Sequence, residues 1–280
     1  MRLRVVTLNV WNRQGDPKRT GLINRELRRL APDLVSFQEV VQSPERSQLD
    51  ELLHDTDLHG THQADVLRSV PPHADRFGGS AVATRWPHRV EEALDLRMSD
   101  ADDVPWCSLA VTVPLSGEGE LLFIAATTSW RPAAESARER QVVALTDLDA
   151  RHRRALPTII AGDFNATPDA ASIRYIRGLQ SLGGRSVRYH DAWEVAGEGH
   201  GHTWSVENPN AESEIGVIVR QPHHRRRVDY VFVGSWDAHP NAACEVRAVS
   251  LAFDQPVDGI WLSDHFGVVA DLEISAAPSA

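Results

Sequence analysis

The chain has 280 residues, 42% hydrophobic and 24% charged, which suits one large α/β core: a single domain over 1–280 with the last few residues as a flexible tail. No run approaches the roughly 20 apolar residues that span a bilayer, and Cys107 and Cys244 are too few and too isolated for a disulfide framework; no secretory signal and a cytoplasmic setting with no membrane partner are expected. Net charge is −10 with Lys18 the only lysine, which argues against a non-specific grip on long duplexes, because that affinity needs a basic face.

Taken in chain order, "RVVTLN" (4–9) is apolar on both faces, the pattern of a strand buried from both sides. In "GLINRELRRLAPD" (21–33), Ile23, Leu27 and Leu30 mark one helix face and Pro32 ends it. "LVSFQE" (34–39) is a second buried strand. In "SPERSQLDELL" (43–53), Ser43 caps a helix and Pro44 takes its first position. Residues 58–80 read as loop. Four strands follow over 80–84, 88–94, 107–113 and 121–128. The longest helix covers 134–155, with Ala137, Gln141, Leu145 and Leu148 on one stripe. "TPDAASIRYIRG" (167–178) is a helix capped by Thr167, begun by Pro168 and stopped by Gly178. Residues 196–226 look irregular, and strands over 227–233, 243–251 and 265–274 close the chain. With strands and helices intermixed and no linker or repeat, layered sheets with helices outside are expected.

Several apolar runs end or begin in polar residues that local structure does not require. Asn9 follows "RVVTL", Glu39 follows "LVSFQ", Asp163 and Asn165 follow "TIIAG", and Asp264 and His265 precede "FGVVADL". Asp229 lies inside "RVDYVFV", where a carboxylate must find a partner. Singly, such residues are turn formers, solvated edges or helix caps. Asp163 is too early to cap the helix that Pro168 opens, and independent coincidence across five segments is a poorer account than one shared site. Carboxylate and amide oxygens without a cysteine cluster suit a hard cation, Mg²⁺ or Mn²⁺, with Glu39 the best single ligand. A histidine oriented by a carboxylate can stabilise a phosphoryl oxygen. Asp264 and His265 share a site only from a turn, which Ser263 allows; Asp163 and Asn165 point the same way if extended.

These residues carry a resemblance. The chain resembles the endonuclease/exonuclease/phosphatase superfamily, the DNase-I-like metal-dependent phosphoesterases, through "TLNVWN" (7–12), "SFQEV" (36–40), "GGSAVATRWP" (78–87), "RERQ" (138–141), "AGDFNATP" (161–168), "HTW" (202–204), "RRVDYVFV" (226–233) and "LSDHFGVVADL" (262–272). The pieces stand in the family's order over nearly the whole chain. The resemblance implies a four-layered α/β sandwich, two central mixed β-sheets flanked by helices, with the site at one end. It implies Glu39 as main Mg²⁺ ligand, Asn9 as a helper in the metal and phosphate shell, and Asp264 near a second metal position. Asp163 would activate the attacking water, Asn165 would hold the scissile phosphate, and His265, oriented by Asp229, would contact a phosphate oxygen.

One position departs from the family pattern. Where many members carry a histidine after the strand preceding the "RxRQ" helix, this chain has Thr127, Thr128 and Ser129. A hydroxyl there can hydrogen-bond a phosphate oxygen but is a poor acid near neutral pH. Around the motifs, Trp11 and Trp130 are candidate walls for a base or sugar, whereas core packing is the expected role of most other tryptophans, Trp106 included. Arg76 in the long loop is a further candidate to approach the site, and Arg226 in "HHRRR" (223–227) is a candidate cationic grip on an anionic substrate. His200 and His202 have a spacing open to a transition metal, although their loop matches a structural segment of the family. The expected partner is a phosphate-ester substrate: a nucleic acid, a nucleotide or a small soluble phosphate, with lipid cleavage least supported for want of a membrane-binding helix. The alternative is a catalytically silent binding module of the same fold.

Overall fold

The computed structural model describes residues 1–67, 78–97, 103 and 107–276. Arg76, Trp106 and the tail at 277–280, all singled out above, lie outside the described residues. The chain opens with β1 (Arg2–Asn9), α1 (Arg19–Leu30), β2 (Leu34–Val40), a small ribbon of β3 (Gln42–Ser43) and β4 (Arg46–Ser47), and α2 (Gln48–Leu53). It continues through β5 (His59–His62), α3 (Gln63–Val66), β6 (Gly79–Thr84), β7 (Arg89–Asp95), β8 (Cys107–Leu115), β9 (Gly119–Thr127) and α4 (Glu135–His152). Next come β10 (Ile159–Asp163), α5 (Ala171–Ile176), β11 (Tyr189–Asp191) and α6 (Ala192–Ala196). The last third holds β12 (Trp204–Ser205), α7 (Pro209–Ile218), β13 (Arg225–Arg226), β14 (Asp229–Gly234), β15 (Ala242–Ala252) and β16 (Gly267–Ala276).

Two six-stranded mixed sheets result, ordered β15-β16-β1-β2-β6-β5 and β11-β14-β10-β9-β8-β7. Strand alternation explains the doubly apolar runs. Val5, Leu34, Val82, Phe123, Ile159 and Val231 fill the core between the sheets. Their chain neighbours Val6, Val35 and Ala83 face outward onto Ile23 and Leu27 of α1 and Leu49 of α2. Ile124, Ile160 and Phe232 face outward beside Leu145 and Leu148 of α4 and Ile173 of α5. Four layers are therefore bound by three apolar clusters, each fully buried Val, Leu, Ile or Phe contributing about 1.5–3 kcal/mol. Between the sheets the Ser36 hydroxyl donates to Ala161 O at 2.9 Å, so this buried polar group is satisfied.

Topology places the site. Each sheet has one parallel pair, β1 with β2 and β9 with β10, and α1 and α4 make the respective crossovers. Asn9, Glu39, Thr127 and Asp163 thus lie at or next to carboxyl ends of parallel strands, the end at which open α/β sheets bind ligands. No described helix is long and apolar enough to cross a membrane.

The observed elements depart from the sequence reading in four places. The second helix is capped by Ser47, whose hydroxyl accepts from Asp50 N at 3.1 Å; Ser43 instead pairs with Arg46 across a turn that holds Pro44. α5 starts at Ala171 rather than Pro168, because Thr167 O accepts from Ala170 N at 2.9 Å and spends these residues on a turn. Within 58–80, β5 adds an edge strand to β6 and α3 follows it. The stretch taken as irregular, 196–226, carries β12, α7 and β13; Asn208 caps α7 by accepting from Asn210 N at 3.1 Å, and Pro209 takes its first turn.

Candidate active site

Glu39 owes its direction to a β-bulge. Pairing between β2 and β6 jumps from Phe37↔Ala81 to Val40↔Gly79, leaving one extra residue on β2. Glu39 takes φ 59°, uncommon for a residue with a Cβ, and turns its carboxylate off the strand alternation. Gly78, itself at φ 77°, makes room: a Cβ there would sit 2.4 Å from the Glu39 carbonyl carbon. The Glu39 carboxylate accepts from Asn9 Nδ2 at 3.1 Å and from Asn12 Nδ2 at 2.9 Å. Behind this corner Arg19 is buried, donating to the carbonyls of Val10, Asn12, Gln14 and Leu262 and lying 4.9 Å over the Trp11 ring. Burial lowers its pKa to about 10, against the attraction of Asp264 and Glu39.

From the second sheet, Asp163 is delivered by β10. Gly162 beneath it has to be glycine, since a Cβ would lie 1.8 Å from Ala126 O on β9. Asp163 Oδ1 accepts from Asn165 N at 2.9 Å, and Oδ2 accepts from Asn9 Nδ2 at 3.3 Å, so one amide ties both sheets together. Asn165 is not extended as the two-residue spacing supposed. It has φ 50°, and its Nδ2 donates to Thr128 O at 3.1 Å, keeping one amide N–H free of that bond.

His265 and Asp264 arrive from a turn in which the Ser263 hydroxyl accepts from His265 N at 3.2 Å and donates to Asn9 O at 2.6 Å. His265 Nδ1–H donates to Asp229 Oδ2 at 2.9 Å, so Nε2 is the nitrogen left for another partner. Asp229 is the direct cross-strand partner of Asp163, and its Oδ1 is buried with no hydrogen bond among the described residues. Ligand atoms of Asp163, Asp229 and His265 lie within 4.8 Å of one another.

The charges are crowded. Burial and the facing Asp264 carboxylate push Glu39 up to about 8. Burial and Asp229 push Asp163 to about 7. Burial pulls His265 down, but Asp229, Asp264 and Asp163 outweigh it and hold the imidazole well above its ordinary value. An oxygen-rich pocket with this surplus of negative charge has the composition that holds a hard divalent cation.

A cavity of about 320 Å³ collects these groups: Asn9, Glu39, Asp163, Asn165, Asp264 and His265 all line it, with Asp229 behind the histidine. Trp11, Trp130 and Arg226 line it too. His200 and His202 stack on each other at 5.2 Å and do not reach it. The hydroxyls of 127–129 do not reach it either. Thr127 Oγ1 lies 3.2 Å from Ser80 Oγ, Thr128 Oγ1 donates to Phe164 O at 2.5 Å, and Ser129 Oγ accepts from Gln141 Nε2 at 2.9 Å. All three hydroxyls are thus engaged with protein partners. Sequence reasoning missed Asn12, inside the quoted "TLNVWN", and Glu214 on α7, which hydrogen-bonds Asp264 and is pushed to about 7 by burial and that carboxylate. The Asn208-Pro209 start signal was the clue to the helix that carries Glu214.

The model of the endonuclease/exonuclease/phosphatase family matches residues 6–265. No curated protein sequence matches the chain. Among solved structures, the chain is similar to D. rerio TDP2 complexed with single strand DNA product, with 18% identity, 97% of this chain and 99% of that chain covered, and a TM-score of 0.72. It is similar to an endonuclease/exonuclease/phosphatase from Beutenbergia cavernae DSM 12333, with 23% identity, 100% and 73% covered, and a TM-score of 0.68. A third such protein, from Bacteroides vulgatus, shows 16% identity, 98% and 100% covered, and a TM-score of 0.67. At these identities the likeness shows the fold, the DNase-I-like pair of mixed sheets flanked by helices.

Proposed function

This chain belongs to the endonuclease/exonuclease/phosphatase family, and on that premise we propose that its cavity hydrolyses phosphate esters with the help of Mg²⁺ or Mn²⁺. Members of the superfamily are hydrolases acting on phosphoesters and generally depend on a divalent metal. The observation that carries the reading is convergence: amide, carboxylate and imidazole groups from four separate segments line one cavity.

Glu39, flanked by Asn9, would hold the cation, with Asp264 facing a second position. The set Asp163, Asp229 and His265 suits a metal less well, because the Nδ1 of His265 is already spent on Asp229. When bound, the cation would neutralise charge on the phosphoryl oxygens. Asp163 orients the attacking water and takes its proton. Asn165 offers its second amide N–H to a phosphate oxygen, and His265 donates from Nε2 to another while Asp229 fixes the ring. Water attacks in line with the leaving oxygen.

Substrate choice follows from the walls and the charge. Trp11 and Trp130 flank the cavity as stacking surfaces, which favours a base-bearing substrate: a nucleotide or a single-stranded nucleic acid. A net charge of −10 weighs against a continuous duplex. The similar TDP2 structure holds single strand DNA product, in line with that preference. A cytoplasmic setting is part of the proposal on sequence grounds, since Cys107 and Cys244 are too few for a disulfide framework.

Hydrolysis of oligonucleotides, nucleotides, sugar phosphates and inositol phosphates, with Mg²⁺ and with EDTA, tests the proposal. Asp163→Asn and His265→Ala should each cost at least ~10²-fold in kcat while the protein stays folded. Full activity in either variant would sink the role assignment. No response to divalent ions would favour the silent binding module.

A further inference from the structure

We propose that Arg226 stabilises the negative charge that develops on the leaving oxygen, in place of a proton donor on that side of the cavity. The inference rests on the phosphoesterase reading above and assigns one residue within it.

Segment 127–129 supplies no acid, because its three hydroxyls are buried and committed to Ser80, Phe164 O and Gln141. Arg226 sits beside that same segment. Its Nη2 donates to Asn165 O at 3.0 Å, while the Asn165 side chain donates to Thr128 O at 3.1 Å. Arg138, which donates to Ser129 O at 2.9 Å, is close enough to repel it.

Arg226 lines the cavity and forms no ion pair among the described residues; its Nε and Nη1 have no hydrogen-bond partner among them. Its neighbour Arg227 shows the contrast, with Nη1 held 2.8 and 3.0 Å from the two Asp191 oxygens. Arg226 is largely desolvated, and Asp163 and Asp169 attract it without forming an ion pair, so an anion arriving at its open edge relieves the cost of burial. A guanidinium is no acid near neutral pH, so its contribution is charge and hydrogen bonds.

The step balances without a protein proton. As the water oxygen bonds to phosphorus, its proton passes to Asp163. The bond from phosphorus to the leaving oxygen breaks, and the electron pair stays on that oxygen. Arg226 donates N–H bonds to the resulting alkoxide or aryloxide, which then takes a proton from solvent.

The test is a leaving-group series: nitrophenyl, phenyl and simple alkyl esters of one nucleotide, with Mg²⁺, on the full chain. Against wild type, Arg226→Ala should lose under ~10-fold on the nitrophenyl ester and ~10²–10³-fold on the alkyl ester, because only a poor leaving group needs the charge. Arg226→Lys, which keeps the charge and loses the fork, should fall between and serves if the alanine variant does not fold. An equal loss across the series, or a loss confined to KM, overturns the inference and leaves the phosphoesterase reading standing. Wild type hydrolysing no ester overturns that reading and the inference with it.

Discussion

Asp229→Asn keeps the volume of a side chain in β14 and removes one buried negative charge beside His265, whose Nδ1 lies 2.9 Å from Asp229 Oδ2. Burial alone would drive the ring toward neutrality; Asp229, then Asp264 and Asp163, hold its pKa well above the ordinary value. Losing a charge-assisted bond of about 1.5–3 kcal/mol weakens proton binding to the ring and lowers that pKa. The substitution also acts across the ladder on Asp163, which burial and the Asp229 charge push to about 7. Activity needs His265 protonated, so the alkaline limb of the kcat profile moves to lower pH. It needs Asp163 ionised, so the acid limb moves to lower pH as well. On the alkaline side of the wild-type limb, kcat should fall roughly 10–100-fold, the loss expected when a required proton is bound more weakly by about 1.5–3 kcal/mol. The assay is kcat against pH with saturating Mg²⁺, and His265 can be followed by NMR. An alkaline limb left at its wild-type position, or limbs that move apart, would refute the coupling.

Phe164→Ala should cost about 3–5 kcal/mol in urea unfolding, since Phe164 is fully buried and packs edge-on to Tyr230 at 5.7 Å and Phe232 at 5.3 Å; a loss under about 1 kcal/mol would refute that packing account. Adding Mg²⁺ or Mn²⁺ after chelation should raise Tm, by an amount equivalent to about 2.7 kcal/mol at a hundredfold excess over Kd, and Glu39→Gln should abolish the rise. His88 tests a pH term away from the cavity. Thr84 Oγ1 donates to Trp86 O and so accepts from His88 Nδ1, which leaves Nε2 to accept from Thr61. Burial, then repulsion from His59, lowers its pKa from 6.5 to about 4. The folded state prefers the neutral ring, so this stabilisation is full above pH 6.5 and is lost as pH falls toward 4. Urea midpoints for wild type and His88→Gln across that window should show the shallower decline in the variant.

Much of the fold was legible because its signals are local. A strand buried on both faces leaves a doubly apolar run, and "RVVTLN" and "TIIAG" say so without any partner. Ile23 and Leu27 mark the face of α1 by spacing, as Ala137, Leu145 and Leu148 mark that of α4. The polar residues at the ends of those runs were legible for the same reason, since local structure had no use for them. Helix starts were less so: Ser43 and Thr167 offer the same capping chemistry as Ser47, and only the ribbon and the turn they enter show that they are spent elsewhere.

By itself, then, the sequence determined the periodicity of the layers and the set of polar positions left over at their ends. Tertiary structure decided where those side chains point. Glu39 faces the cavity because β6 pairs with β2 one residue out of step and Gly78 yields the space. The hydroxyls of 127–129 turn away because Ser80, Phe164 and Gln141, all distant in sequence, offer them buried partners. Arg226 forms no ion pair among the described residues, beside an Asp191-bound Arg227, for a reason of the same kind. Bulges, registers and buried hydrogen bonds are contracts between remote segments, and no local window of residues contains both parties.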